Sequence, residues 1–528
     1  MYRIFSYVNE RTAMKKPSFH TLRTVYLCFL LAYTVVREVL TLNLLIRPAA
    51  VSAGVFAVGF LVILYGMGQG AVVFKDRKTD LLIVFTLMTG VSCLVNFRYA
   101  FTDNVKAMGT LLLFFLLCYP AGVDEDRNAR EKELRAMMLV LNGVWAVFVL
   151  LSVVMYFADV EYVVTRPTGG AVAQGFNTQW QRLWGLFQDP NFAGFVCGAC
   201  ILSCIWTLRR SRKVSGRIAA VLQMILQFLY LVLGGSRSAL VGLAVGLCVM
   251  AFVLIGANGT LRQKTENRKA LRYLIPAICC VGVCALMLAG VRAVQIGLPK
   301  LKAALPTVSD DAVAAGYETL YRMSGLEILY SGYTGEGDAS DIVPDDVEDL
   351  RGDTDAPLSR TDLGKSDISN GRFLRWRDTL KVFRHCLVFG TSPRGIVPIA
   401  REKEPDTIVA VRGTLSHNGY LDILAFTGIL GAPWLYLFLA LAAIALFKKL
   451  FRFPEDGTFA FTAGGAALFS VSALFLSDLF FVITVSAVLF WTFLGYSLHT
   501  EEETKPGRVY GAVLRVTEKM VKSRKAGK

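Results

Sequence analysis

Three stretches of this chain set polar side chains directly against apolar runs. Residues 182–194 read RLWGLFQDPNFAG, residues 234–243 read GGSRSALVGL and residues 417–431 read HNGYLDILAFTGILG. Each holds a residue suited to start a helix: Asp189 with Pro190 at the first helical position, Ser236 after a Gly-Gly turn, and Ser416 or Asn418 before a short helix. A helix N-terminus carries about half a positive charge and several free backbone N–H groups. Arg182 and Arg237 stand beside two of these starts. Guanidinium keeps its charge at any ordinary pH, and its fork matches phosphate oxygens. At membrane depth it is costly without an anionic partner. Together these features describe a site for a phosphate or diphosphate, with Asp189, Asn191, Ser236 and Asn418 as supporting residues. The structural alternative is that Arg237 reaches water and anchors a turn, and it stays open at this point.

Histidine is scarce, at His20, His385, His417 and His499. His417 directly precedes Asn418-Gly419, where a large loop returns to an apolar run. A neutral imidazole near pH 7 can take a proton from an attacking hydroxyl. A lone histidine is also often structural, so its position beside an anion site is what makes it a candidate.

The elements that position these residues follow from composition. Of 528 residues, 54% are hydrophobic and 18% charged, and the mean hydropathy is +0.49. A soluble domain carries about 25% charged residues, so an ordinary globular enzyme is excluded. The expectation is an all-α membrane protein with about twelve transmembrane helices. The apolar runs fall near 25–45, 51–70, 81–97, 107–123, 136–157, 192–208, 218–233, 238–255, 273–291, 432–447, 458–476 and 479–496. The net charge of +15 invites a nucleic-acid reading. Lys and Arg counted by segment argue otherwise. Alternate segments starting with the N-terminus hold 33 of them, at more than twice the density of the short segments between. By the positive-inside rule both termini are cytoplasmic, and the three polar stretches face outward.

The organisation expected is a cytoplasmic segment over 1–23, nine spans over 24–294, and one large extracytoplasmic loop over 295–416 between spans nine and ten. A re-entry motif with three further spans follows over 417–498, then a basic cytoplasmic tail over 499–528. Within the loop, 298–323 suits a helix near the membrane and 334–365 is an acidic, Gly/Asp-rich insertion read as a solvated linker. Residues 371–388 form an amphipathic helix with Phe373, Trp376, Leu380, Phe383 and Leu387 at helical spacing and Arg372, Arg375 and Arg384 projecting elsewhere. Ten of the eleven cysteines lie in apolar runs and only Cys386 lies in the loop, so the loop closes no internal disulfide. The helically spaced Cys197, Cys200 and Cys204 read as packing residues, and no metal cluster is expected.

These segments resemble the O-antigen ligase and O-antigen polymerase superfamily of bacterial membrane glycosyltransferases. The motifs that carry the resemblance are R-x-x-G-x-F-x-D-P-N at 182–191, GSRSAL at 235–240, G-R-x-x-x-W at 371–376 with the Phe-Gly turn at 389–390, and H-N-x-Y-L-x-x-L-x-x-x-G-x-x-G at 417–431. The resemblance implies a GT-C-like enzyme with neither metal nor cofactor. Its donor would be an undecaprenyl-diphosphate-linked glycan at the outer face of the cytoplasmic membrane, and its acceptor a glycan, lipid or protein. It assigns Arg237 and Arg372 to the diphosphate, with Arg182 assisting, and His417 to the acceptor hydroxyl. One departure is Thr427, at a position usually acidic in the family, which weakens any role for an acid there. Ligase and polymerase are not separated by sequence. A polymerase or general polysaccharide transferase is favoured slightly, because nothing specifies a lipopolysaccharide acceptor.

The rival class is a secondary transporter with twelve spans, for which Glu38, Asp422 and Asp478 are the acids at membrane depth. Neither a six-plus-six repeat nor the position of the large loop supports it. Replacing His417 or Arg237 with alanine is expected to impair glycan transfer in an assay with lipid-linked donor; full activity in either variant would end the assignment.

Overall fold

The computed structural model describes residues 18–45, 49–68, 78–119, 127–165, 171–178, 180–265, 267–305, 328–329 and 371–499. Residues 1–17, the acidic stretch 334–365, the tail beyond 499 and most of the helix expected over 298–323 lie outside these. The principal helices are α1 (Phe19–Glu38), α2 (Ala49–Gly68), α3 (Thr79–Val95), α4 (Phe101–Leu113, prolonged by a π-turn over Phe114–Cys118), α5 (Arg127–Phe157), α6 (Pro190–Arg210) and α7 (Val214–Leu233). They continue with α8 (Arg237–Gly256), α9 (Lys269–Ala303), α10 (Arg372–Phe383), α11 (Gly419–Leu450), α12 (Gly457–Ser472) and α13 (Val485–Leu498). Among the described residues, nine helices are long and apolar enough to cross a membrane. Three more, α3, α12 and α13, are apolar but shorter, at 17, 16 and 14 residues. Each apolar run read from the sequence holds one of these twelve helices, and the chain is a mostly helical, multi-pass membrane protein.

It is not purely helical. Strands from residues 161–185, joined by a short one at 328–329, form a small antiparallel sheet in the order β3-β2-β1-β4, with β1 Glu161–Thr165, β2 Ala171–Asn177, β3 Arg182–Gly185 and β4 Ile328–Leu329. β1 pairs with β2 from Glu161↔Gly175 to Thr165↔Ala171, and with β4 at Val163↔Leu329. The run Tyr162-Val163-Val164-Thr165 is rich in β-branched and aromatic residues that suit a half-buried pleat. Two boundaries also move. α9 continues to Ala303, past residue 295 where the loop was expected to begin. α1 begins at Phe19, so Arg23 belongs to the helical core and not to a solvated N-terminal segment.

Arg23 is 2% exposed. Its Nη2 lies 2.9 and 3.1 Å from the two carboxylate oxygens of Glu133 on α5. Thr24 Oγ1 and Tyr496 OH donate to the same carboxylate at 2.7 and 2.9 Å. A buried pair is tolerated only when its remaining hydrogen bonds are filled in this way. Elsewhere the bundle closes by small residues: a Cβ on Gly246 of α8 would come within 3.0 Å of the Gly464 carbonyl on α12, and the reverse contact would be 2.7 Å.

The feature that most shapes the polar end is a break in α11. Gly428 has φ 69° and ψ −175°, which splits the helix into a short Gly419–Thr427 piece and a longer piece from Ile429 to Leu450. This matches the short helix before span ten expected from the sequence. The backbone groups freed at the break are taken by residues 387–392. Thr391 N donates to Ala425 O (2.9 Å), Ser392 N to Phe426 O (3.0 Å), Ile429 N to Leu387 O (3.0 Å) and Leu430 N to Val388 O (3.2 Å). Gly390 of the Phe-Gly turn has φ 75° and meets Phe426 and Gly428 backbone so closely that a Cβ would sit 2.4–2.5 Å from them. Gly428→Ala would force a Cβ to 2.3 Å from Val388 O in a backbone region open essentially to glycine alone. We expect it to cost about 3 kcal/mol or more, read as a large fall in thermal midpoint in detergent. Gly143→Ala, with nothing within 4 Å, should be neutral or slightly stabilising.

Candidate functional site

Asp189 caps α6, its carboxylate accepting from Asn191 N at 2.7 Å, with Pro190 as first helical residue. Arg182 on β3 is 4% exposed. Its Nε donates to Gly234 O at 2.8 Å and its Nη2 to Asn191 Oδ1 at 2.7 Å. Arg182 therefore ties the sheet to the start of α6 and to the turn before α8. Ser236 caps α8 by accepting from Ala239 N at 3.3 Å. The two starts adjoin: a Cβ on Gly194 would lie 2.8 Å from Ala239 Cβ and 3.4 Å from Ser236 Cβ. Arg237, the first residue of α8, is exposed. It makes no hydrogen bond or ion pair among the described residues.

Asn418 caps α11, its Oδ1 accepting from Tyr420 N and Leu421 N at 3.1 Å each. Ser416 Oγ lies 2.6 Å from Asp422 Oδ1 and accepts from Asn418 N at 3.0 Å. These bonds hold His417 in a tight turn at φ 53°. Gly419 N donates to Ala473 O (2.7 Å) and Leu476 O (2.9 Å), so the turn between α12 and α13 supports the His417 turn from below. The same turn carries Phe475, whose ring centroid lies 5.0 Å from the Arg372 guanidinium. The start of α10, the start of α11 and the α12–α13 turn thus meet at one place. The end of α1 meets the start of α6, since Gln188 N donates to Glu38 O at 3.0 Å.

Electrostatics draws these groups together further. The His417 imidazole is half-buried, and its pKa is pushed down from the ordinary 6.5 to about 4. Burial is the main cause; the Arg375 charge adds to it, Asp189 opposes it, and Arg372 adds a smaller push. Arg372, Arg375 and Asp189 therefore all lie within electrostatic reach of His417. Asp478, in the α12–α13 turn, has both carboxylate oxygens buried with no partner on another described residue. Burial pushes it up to about 7, with Asp189 and Asp422 adding to the effect.

The sequence-derived residues form two linked groups. Arg182, Asn191, Asp189 and Ser236 sit at the adjoining starts of α6 and α8. Arg372, His417 and Asn418 sit at the adjoining starts of α10 and α11, and Asp189 links the groups through its effect on His417. Arg237 stands three residues beyond Gly234, the Arg182 partner, without a contact of its own to His417. Arg375, expected like Arg372 to project away from the apolar stripe, is the charge that weighs most on His417. Its spacing of three from Arg372 places both on one helical face, a signal that was readable. Of the expected apolar stripe on α10, Phe373, Leu380 and Leu387 are exposed, while Asp378, Thr379, Val382 and Phe383 face inward.

A neutral imidazole beside two guanidiniums, three capped helix starts and a shielded carboxyl can bind an anion and accept a proton close by. Residues 222–436, which include Arg237, Arg372 and His417, match the family model described as O-antigen ligase. The resemblance to the O-antigen ligase and polymerase superfamily is borne out over this segment. No curated protein matches the chain.

The His417 ring should titrate near pH 4 by NMR in labelled protein, and Arg375→Gln should move it upward. Because its folded pKa lies below the unfolded one, the unfolded chain binds the extra proton between about pH 6.5 and pH 4. Thermal stability should fall as pH drops through that window, and less so in His417→Gln.

Proposed function

We propose that this chain, through its O-antigen ligase domain, transfers a glycan from an undecaprenyl-diphosphate-linked donor at the outer face of the cytoplasmic membrane. The product is cell-surface polysaccharide, either extended by a repeat unit or attached to a lipid or protein acceptor. The observation that carries this reading is the convergence of Arg372, Arg375 and the Asp189 cap on His417, within or beside a segment that matches the ligase family.

Arg372, Arg375 and Arg237 neutralise the diphosphate, and their charge becomes most useful as the anomeric C–O bond breaks and negative charge grows on the leaving oxygen. Holding His417 neutral leaves its ring nitrogen free to accept the acceptor hydroxyl proton while that oxygen bonds to the anomeric carbon. Undecaprenyl diphosphate departs. Bound diphosphate also cancels the arginine charge that weakens the imidazole, so donor binding itself raises the basicity of His417. Asp189 then stabilises the imidazolium. Direct attack in this geometry inverts the anomeric centre. The leaving group is already activated, so the scheme calls for no metal. Nothing in the fold or the family match supports a transporter.

Purified protein in nanodiscs, given lipid-linked glycan and acceptor, should release undecaprenyl diphosphate with glycan transfer. His417→Ala and Arg372→Ala should each lower the rate by about 10²–10³. A ladder of products indicates polymerisation and a single addition indicates ligation. Wild-type rates in both variants would overturn the proposal.

A further inference from the structure

Trp180 and Trp184 flank Arg182, and neither takes part in the caps or in the convergence on His417. Their ring centroids are 6.3 Å apart with the planes inclined at 40°. The Arg182 guanidinium lies 5.8 Å from the Trp184 ring. Both indoles are half-buried, and each keeps a shielded Nε1–H with no partner among the described residues. An indole N–H left unpaired in a shielded place is costly, and a ligand hydroxyl that reaches it relieves the cost.

The backbone around the pair is fixed firmly. Glu161 on β1 accepts from Asn177 Nδ2 at 2.7 Å, from Thr178 Oγ1 at 3.0 Å and from Thr178 N at 3.2 Å. Asn177 Oδ1 in turn accepts from Trp180 N at 2.6 Å. Tyr230 OH on α7 donates to the Trp184 carbonyl at 3.1 Å. A carboxylate with three hydrogen bonds therefore pins the β2–β3 hairpin tip that presents Trp180 beside Trp184. Rigid aromatic rings lose little entropy when they bind.

The pair is also well placed. Arg182, between the two tryptophans in sequence, bonds to Gly234 O and Asn191 Oδ1, so the platform adjoins the starts of α6 and α8. A pyranose offers an apolar face of C–H groups and a rim of hydroxyls, which suits an indole face with N–H donors at its edge. We propose that Trp180 and Trp184 form a sugar subsite that stacks on the pyranose ring next to the donor diphosphate. This rests on the reading of a diphosphate-linked donor given above.

The test is calorimetric binding to the full chain in nanodiscs, with farnesyl-diphosphate-linked N-acetylglucosamine and with farnesyl diphosphate alone. Wild type should bind the sugar-bearing probe about tenfold more tightly, the worth of one good stacking contact of about 1.4 kcal/mol. Trp184→Ala and Trp180→Ala should lose that preference while still binding the sugarless probe, which reports an intact fold. Trp184→Phe should keep part of it. Equal binding of both probes by wild type, or an unchanged preference in the alanine variants, would overturn the subsite and leave the indoles as anchors at the membrane interface. If wild type binds neither probe, the diphosphate reading fails and the subsite with it.

Discussion

A helix that breaks inside a membrane protein frees backbone N–H and C=O groups where little water is at hand to take them. In this chain the break falls at Gly428, and residues 387–392 satisfy it with a ladder of backbone bonds to Ala425, Phe426, Ile429 and Leu430. Two glycines make the approach possible, because a Cβ on either Gly390 or Gly428 would collide with the backbone of the other strand. Ser92 Oγ adds a bond to Phe426 O at 2.8 Å, and Asn96 Nδ2 one to Gly390 O at 2.9 Å. The consequence reaches beyond the break. The segment bound there follows directly from α10, so the arginines of α10 are held at a set place relative to the start of α11, where His417 stands.

The second constraint is charge. Burial is the main penalty on the protonated imidazole, and two guanidiniums add to it, so His417 stays neutral through the physiological range. The opposite sign comes from Asp189, which serves two purposes. Its carboxylate caps α6 through Asn191 N, and its charge reaches both His417 and Asp478. One carboxylate thus links a structural cap to the electrostatics of the polar end. Elsewhere, the Glu133 carboxylate of the Arg23–Glu133 pair accepts further bonds from Thr24 and Tyr496.

Much of the architecture was legible in local pattern. Apolar runs of membrane length gave the helices, and the Asp-Pro, Gly-Gly-Ser and His-Asn signals marked three helix starts where the caps stand. The short helix before span ten was also legible, because Asn418 is a local helix-capping signal. The sheet was missed because the turns between its strands look like an ordinary loop in a chain dominated by apolar runs. Arg375 was left unassigned because the motif that carries the resemblance, at 371–376, specifies Arg372 and leaves position 375 open. In the fold, the side of α10 carrying Asp378, Thr379 and Val382 turns inward.

Local pattern was enough for the class of molecule, the positions of the helix starts and the identity of the scarce ionisable groups, since each depends on residues near one another in the chain. Folding alone brought residues 387–392 to the break at Gly428, Arg182 to Gly234 and Asn191, and the α12–α13 turn with Asp478 against the His417 turn. Those contacts join residues separated by tens to hundreds of positions. Hydropathy and capping preferences are properties of single segments, and they carry no information about which segment will fill another's unsatisfied polar groups.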